Sequence, residues 1–161
     1  ASDVYKRQSM YPAMQAQKEG FHQLVWTDAA EHKYIEESGT MNIVFQIGDK
    51  LITPDENHDT ILRGITKRSV FEIAEKWGVE VEERMITVAE IIEAAKNGSL
   101  KDAFGAGTAA TIAPIAMIGY EDEKYVLPPV EERLLSNKIK KYLGDLKTGR
   151  IADEFGWNLL V

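Results

Sequence analysis

The sequence contains no cysteine, which removes disulfides, thiolate metal ligands and cysteine nucleophiles in one step. Histidine is nearly as scarce. His22, His32 and His58 are scattered without metal-ligand spacing, so no metal site is expected. Long apolar runs are missing too: nothing approaches a membrane span, and the start lacks the apolar core of a signal peptide. The expectation is a cytosolic protein with no membrane partner, in which the "NGS" at 97–99 matches a glycosylation sequon by chance. Positive charge is in deficit, with 19 Lys and Arg against 26 Asp and Glu, a net charge of -7 and a pI near 5.0. That balance argues against nucleic acid as a partner. It leaves a small anion open, because backbone N–H groups bind phosphate whatever the global charge. Neither G-x-S-x-G nor a Walker signature occurs.

What is present suits one soluble domain: 161 residues, 44% hydrophobic and 28% charged. Residues 1–8, "ASDVYKRQ", show no clean period. From Ser9 the pattern is helical, with Met10, Ala13, Met14 and Ala16 on one face, Pro12 in the first turn and Gly20 as stop. "FHQLVWTD" and "KYIEE" read as strands, and "NIVFQIGDKLITP" as two strands turning at Gly48-Asp49. "GITKRSVFEIAEKWG" puts Ile65, Val70, Ile73, Ala74 and Trp77 on one helix face before Gly78. "VEVEERMI" alternates as a strand, and "TVAEIIEAAKNG" is a helix opened by a Thr87–Glu90 capping box. The stretch 102–121 holds two strands around a turn at Gly105 to Ala109. Pro128-Pro129 opens a last long helix, and "FGWNLLV" closes as a strand. Strands alternating with helices after a hairpin-rich start make the fold α/β, or α+β with a mixed sheet.

Two small-residue turns could carry chemistry. "RGIT", 63–66, opens a helix, so Ile65 and Thr66 offer N–H groups and a hydroxyl at the positive end of a dipole. The same pattern also serves as plain capping. "GAGTAA", 105–110, combines glycines that permit close approach with the hydroxyl of Thr108, yet such turns are common between strands. Glu36 and Glu37 are adjacent in a strand, so alternation sends one inward and one outward. Taken alone, a solvated acidic pair is the simpler reading, and a buried acid needs a partner.

In order along the chain, "QLVWTDAAEHKYIEESGTMNIVFQIG", "TPDENHDTILRGITKRSVFEIAEKWGVEVEER", "FGAGTAATIAP" and "LGDLKTGRIADEFGW" resemble the C-terminal domain of the branched-chain amino acid aminotransferases. These are class IV (fold-type IV) pyridoxal phosphate enzymes. The resemblance covers nearly everything from Ser9 onward. It implies that Glu37 bonds the pyridine nitrogen of pyridoxal 5'-phosphate, with Glu36 its outward neighbour. It gives Ile65, Thr66 and Thr108 to the cofactor phosphate and Leu62 to one face of the ring. Thr40, Met41, Thr108 and Ala109 go to the substrate, whose carboxylate meets the Thr108-Ala109 backbone. The implied reaction moves an amino group between leucine, isoleucine or valine and 2-oxoglutarate, commonly in a homo-oligomer. The rivals are a D-amino acid aminotransferase, an aminodeoxychorismate lyase, or a domain that binds cofactor or a partner chain without chemistry.

Arg63 stands where the family often has Pro, and Ala110 and Ala113 stand where some animal members carry a Cys-x-x-Cys pair. The family's Schiff-base lysine falls at about Ala1, and Lys6 sits where the family has a tyrosine, so no catalytic residue is assigned. The expectation is therefore a leader at 1–8, a cofactor-binding domain at 9–161 lacking its N-terminal partner domain, and no activity from the chain alone.

Overall fold

The computed structural model describes residues 2–57 and 60–159, with the backbone alone for 2–8. Ala1 and His58 lie outside the described residues, as does the side chain of Lys6. A seven-stranded mixed sheet organises the chain, built on β3 (Met41–Ile47). One edge of β3 pairs along Asn42 to Ile47 with β6 (Leu100–Gly107), which continues to β7 (Thr111–Pro114). Two strands share its other edge: β2 (Ile35–Ser38) pairs at Met41 and Asn42, and β4 (Lys50–Thr53) pairs from Phe45 to Ile47. The sheet ends in β1 (Val25–Thr27) beside β2 and in β5 (Glu80–Glu83), parallel to β4.

Sharing an edge leaves a gap between β2 and β4 opposite Ile43 and Val44. A backbone carbonyl orphaned in a core is costly, and here the Thr53 hydroxyl donates to Ile43 O at 2.6 Å. The chain leaves β4 at this gap and enters the loop that builds the site.

Alternation along β3 divides the core into two layers. Val44 joins Val70, Ile73, Phe104 and Ile139 under α2 (Ile65–Lys76) and α4 (Leu134–Lys147). On the other face Ile43 and Phe45 join Ile35, Ile86 and Ile91 under α3 (Val88–Lys96). A separate hairpin, β8 (Met117–Tyr120) with β9 (Glu123–Val126), adds Ile118 to this second layer.

Four expectations are corrected. The first helix, α1 (Ser2–Lys18), begins at Ser2 and not at Ser9, which puts Pro12 in its interior, and Met10 and Met14 on its expected face are exposed. The last helix is broken: a 3-10 turn at Val130–Glu132 precedes α4, and Arg133 between them is non-helical because its side chain is drawn into the core. "FGWNLLV" forms no strand over its described residues. Asp153 accepts from the Phe155 and Asn158 N–H groups at 3.1 and 2.6 Å, which bends the segment into turns. Phe155 and Trp157 then stack at 4.2 Å, with Tyr142 edge-on to Phe155. Lastly, stretch 102–121 contains β6, β7 and β8 rather than two strands. Among the described residues no helix is long and apolar enough to cross a membrane, and no cluster could hold a metal ion.

Candidate functional site

The site begins with an irregularity in β2. Val25 pairs with Ser38 and Thr27 with Ile35, so β2 spends three steps where β1 spends two. This is a bulge, and a bulge breaks strand alternation. Ile35 and Ser38 therefore both point to the cavity face, and Glu36 and Glu37 both turn to the loop after β4. Glu36 is not an outward neighbour. It is half-buried, and its Oε1 accepts from the Thr60 hydroxyl at 2.8 Å.

Glu37 is held more tightly. The Leu62 N–H donates to its Oε1 at 2.8 Å, and Asn42 Nδ2 donates to the same oxygen at 3.3 Å. Asn42 Nδ2 also reaches Leu62 O at 2.8 Å, so one buried amide ties the carboxylate and the loop together. Both bonds fall on Oε1, and among the described residues Oε2 takes none. Asn42 is the residue that sequence reasoning missed. Its signal was a buried amide at the start of the apolar run of β3, which as the cross-strand partner of Glu37 shares its face of the sheet.

The loop then passes Gly64 into α2. A Cβ on Gly64 would lie 1.8 Å from Asn42 Oδ1, so only glycine lets the helix start approach the carboxylate this closely. The first turn of α2 has no side-chain cap and no acid. In α3, by contrast, Thr87 accepts from Glu90 N–H and Glu90 sits in the first turn. The N-terminal N–H groups of α2 are thus left for something else. Ile65 is 73% exposed and Leu62 72%, while Thr66 is half-buried.

Register places the second turn on the same face. Ala106 pairs with Asn42, and Thr108 lies two residues further along the chain, exposed with Ala109 at the β6–β7 turn. Glu37, Asn42, the start of α2 and the 108–110 turn therefore share one face of the sheet. Thr40 is exposed at the tip of the β2–β3 turn. Met41 points to the opposite face. Its side chain lies across Gly105 and Gly107, where an added Cβ would come within 2.8 Å of it.

An apolar cavity of about 830 Å³ opens on that opposite face, lined by Phe21, Leu24, Ile35, Met41, Phe45 and Ile91 among others. It contains none of Glu37, Thr66 or Thr108. The chemistry of the donors, not the size of the hollow, locates the candidate site.

The family model for class IV amino-transferases matches residues 7–118. Branched-chain-amino-acid aminotransferase 2 of Bacillus subtilis (strain 168) is 42% identical over 142 residues, which are 88% of this chain and 39% of that protein. The branched-chain aminotransferase of the archaeon Thermoproteus uzoniensis, solved with norvaline, superposes with a TM-score of 0.73 at 28% identity, over 92% of this chain and 45% of that one. The holo, PLP-form enzyme of Thermobaculum terrenum gives 0.67 at 28% identity, over 86% and 41%. The chain spans about two fifths of the length of the curated relatives it matches. With its family model covering most of its length, the chain belongs to the class IV aminotransferases.

Proposed function

We propose that this chain holds pyridoxal 5'-phosphate and takes part in amino transfer between leucine, isoleucine or valine and 2-oxoglutarate. The carrying observation is the Glu37 carboxylate, fixed through Oε1 by Leu62 and Asn42, beside an uncapped helix start. These residues fit the group. A dianionic phosphate needs N–H donors at a positive helix end without a competing acid, and the first turn of α2 offers that.

When bound, the cofactor supplies a protonated ring that accepts electrons from the substrate α-carbon. The residues of this chain act around it. Glu37, whose Oε2 takes no bond among the described residues, would hold the ring nitrogen and keep its proton there. Ile65, Thr66 and Thr108 would hold the phosphate, and the exposed Leu62 side chain would cover the ring. The Thr108-Ala109 backbone would orient the substrate carboxylate, with Thr40 beside the side chain; Met41, expected there too, turns its side chain to the opposite face and takes no part. No residue is assigned to the covalent attachment of the cofactor. The names of the relatives support the branched-chain substrate, and family membership supports a cytosolic homo-oligomer.

The test is a titration of the chain with pyridoxal 5'-phosphate and with pyridoxal, followed by tryptophan quenching. Binding of the phosphorylated form alone, weakened by Glu37→Gln, is expected. Equal binding of both, or indifference to Glu37→Gln, would count against the site. Adding L-leucine and D-alanine to the loaded protein and following the cofactor absorbance separates the branched-chain reading from a D-amino acid enzyme.

A further inference from the structure

Lys67 is the only charged residue among the buried residues of α2, and its side chain is wholly buried. Its Nζ lies 3.0 Å from Glu83 Oε2 on β5 and 2.6 Å from Glu56 Oε1. The bond to Glu83 is directed, whereas the approach to Glu56 falls outside hydrogen-bond geometry and is a Coulombic pairing. A buried ammonium is expensive even when paired, and an apolar side chain of similar length could fill the space without that cost. The charge needs a reason beyond packing.

The positions of its partners supply one. Glu56 lies shortly after β4 and Lys67 lies in the first turn of α2, so their ion pair holds these two points together at the base of the chain leading to Leu62. Glu83 fastens that base to the sheet. At the other end, the loop presents the Leu62 N–H to Glu37, the Leu62 carbonyl to Asn42 and the free N–H groups of α2 to the site. Between Thr60 and Ile65 the one buried apolar side chain is Ile61, with Thr60, Leu62, Arg63 and Ile65 exposed, so a single apolar anchor fixes this part of the loop. Its geometry therefore depends also on how its base is held.

We infer that Lys67 is a positioning residue: by pairing with Glu56 and Glu83 it ties the chain after β4 to the start of α2 and to the sheet, and so holds the Leu62 amide on Glu37 at the cofactor site. The inference rests on the cofactor reading above, yet its first readout needs no cofactor. Amide hydrogen exchange at Leu62, Ile65 and Thr66 is compared in the wild-type chain, Glu56→Gln, Lys67→Met and Lys67→Arg. Glu56→Gln leaves Lys67 paired with Glu83, so the fold is retained. Exchange at Leu62 is expected to rise at least about tenfold, with the β3–β6 amides unchanged, as for a local opening. Affinity for pyridoxal 5'-phosphate should fall in parallel. Lys67→Met should do the same or more, and Lys67→Arg should restore both. If Lys67→Met does not fold, Glu56→Gln and Lys67→Arg decide. Leu62 exchanging at its wild-type rate in Glu56→Gln, or protection lost evenly across the sheet, overturns the role. A loosened Leu62 in Glu56→Gln, in a wild-type chain that binds no cofactor, leaves the loop role standing and removes the cofactor reading.

Discussion

Leu62 donates its backbone N–H to Glu37 Oε1 at 2.8 Å, across 25 residues of sequence. A backbone donor cannot be lost by substituting its own side chain, so the contact survives most changes at position 62. It depends instead on where the loop runs and on Asn42, whose amide bridges Glu37 and the Leu62 carbonyl.

Asn42→Leu keeps the volume and removes both bonds. The Leu62 carbonyl and Glu37 lose a buried partner, and the expected cost is about 1–3 kcal/mol of folding stability. Urea unfolding with an unchanged slope measures it. Pyridoxal 5'-phosphate affinity should fall by more than that loss alone predicts, because the carboxylate is no longer aimed. Stability and affinity both at wild-type values would show that the bridge contributes nothing.

Gly64 and Gly144 should respond to alanine with opposite signs. Gly64 has φ -75°, which any residue accepts, so Gly64→Ala is penalised only by the collision with Asn42 Oδ1 at 1.8 Å. Overpacking of this kind costs about 1–3 kcal/mol. A methyl on Gly144, inside α4, meets nothing within 4 Å. Gly144→Ala should therefore stabilise by about 0.5–1 kcal/mol through helix propensity and unfolded-state entropy. Thermal melts of the two variants in opposite directions are the check.

Much of this was legible in the sequence, and the failures have physical causes. The β3–β4 hairpin, α2 and α3 followed from periodicity, glycine stops and the Thr87 cap. The resemblance grouped Glu37, the start of α2 and the Thr108 turn, and the pairing of Glu37 with Asn42 and of Asn42 with Ala106 is the register on which that grouping rests. The bulge at Glu36-Glu37 was not legible, because alternation assumes a regular ladder and the extra step is set by pairing with β1. The β8–β9 turn was missed because it is made by Glu121 and Asp122, with Glu121 at φ 54° and no glycine, proline or asparagine to mark it. The break before α4 was hidden because it depends on a tertiary partner, Asp102, 31 residues away.

That partner predicts the largest stability effect. Arg133 and Asp102 are each 1% exposed at the side chain and bond at 2.9 Å, and the guanidinium also donates to the Pro128 and Ile115 carbonyls. Removing one charge strands the other in the core. Arg133→Met or Asp102→Leu should each cost about 3–5 kcal/mol. Among the described residues Asp102 Oδ2 has no hydrogen-bond partner, so the pair is not fully compensated. The double variant should lose less than the two singles together, and a double-mutant cycle by urea unfolding reads the coupling. Strict additivity would mean that the ion pair carries no specific interaction.

The segment leading into β2 gives a pH prediction. Asp28 accepts from the N–H groups of Glu31, Lys33 and Tyr34, each at 2.7 Å. Those bonds favour the carboxylate, the Tyr34 bond most, and lower its pKa from 3.8 to about 2. A carboxyl whose folded pKa is depressed stabilises the fold above its unfolded value, and the contribution drains away as pH falls through the folded value. The window is therefore from about pH 4 down to about pH 2. Asp28→Asn keeps one acceptor oxygen and removes the charge, so it should lower the urea midpoint near neutral pH. The deficit should shrink through that window and nearly close at its acid end, where the wild-type carboxyl is itself taking up a proton. Glu82, Glu123, Asp145 and Asp153 also have lowered values, but they are present in both proteins and cancel in the difference. A deficit that stays constant from neutral pH to about pH 2 would mean that Asp28 acts by shape and not by charge.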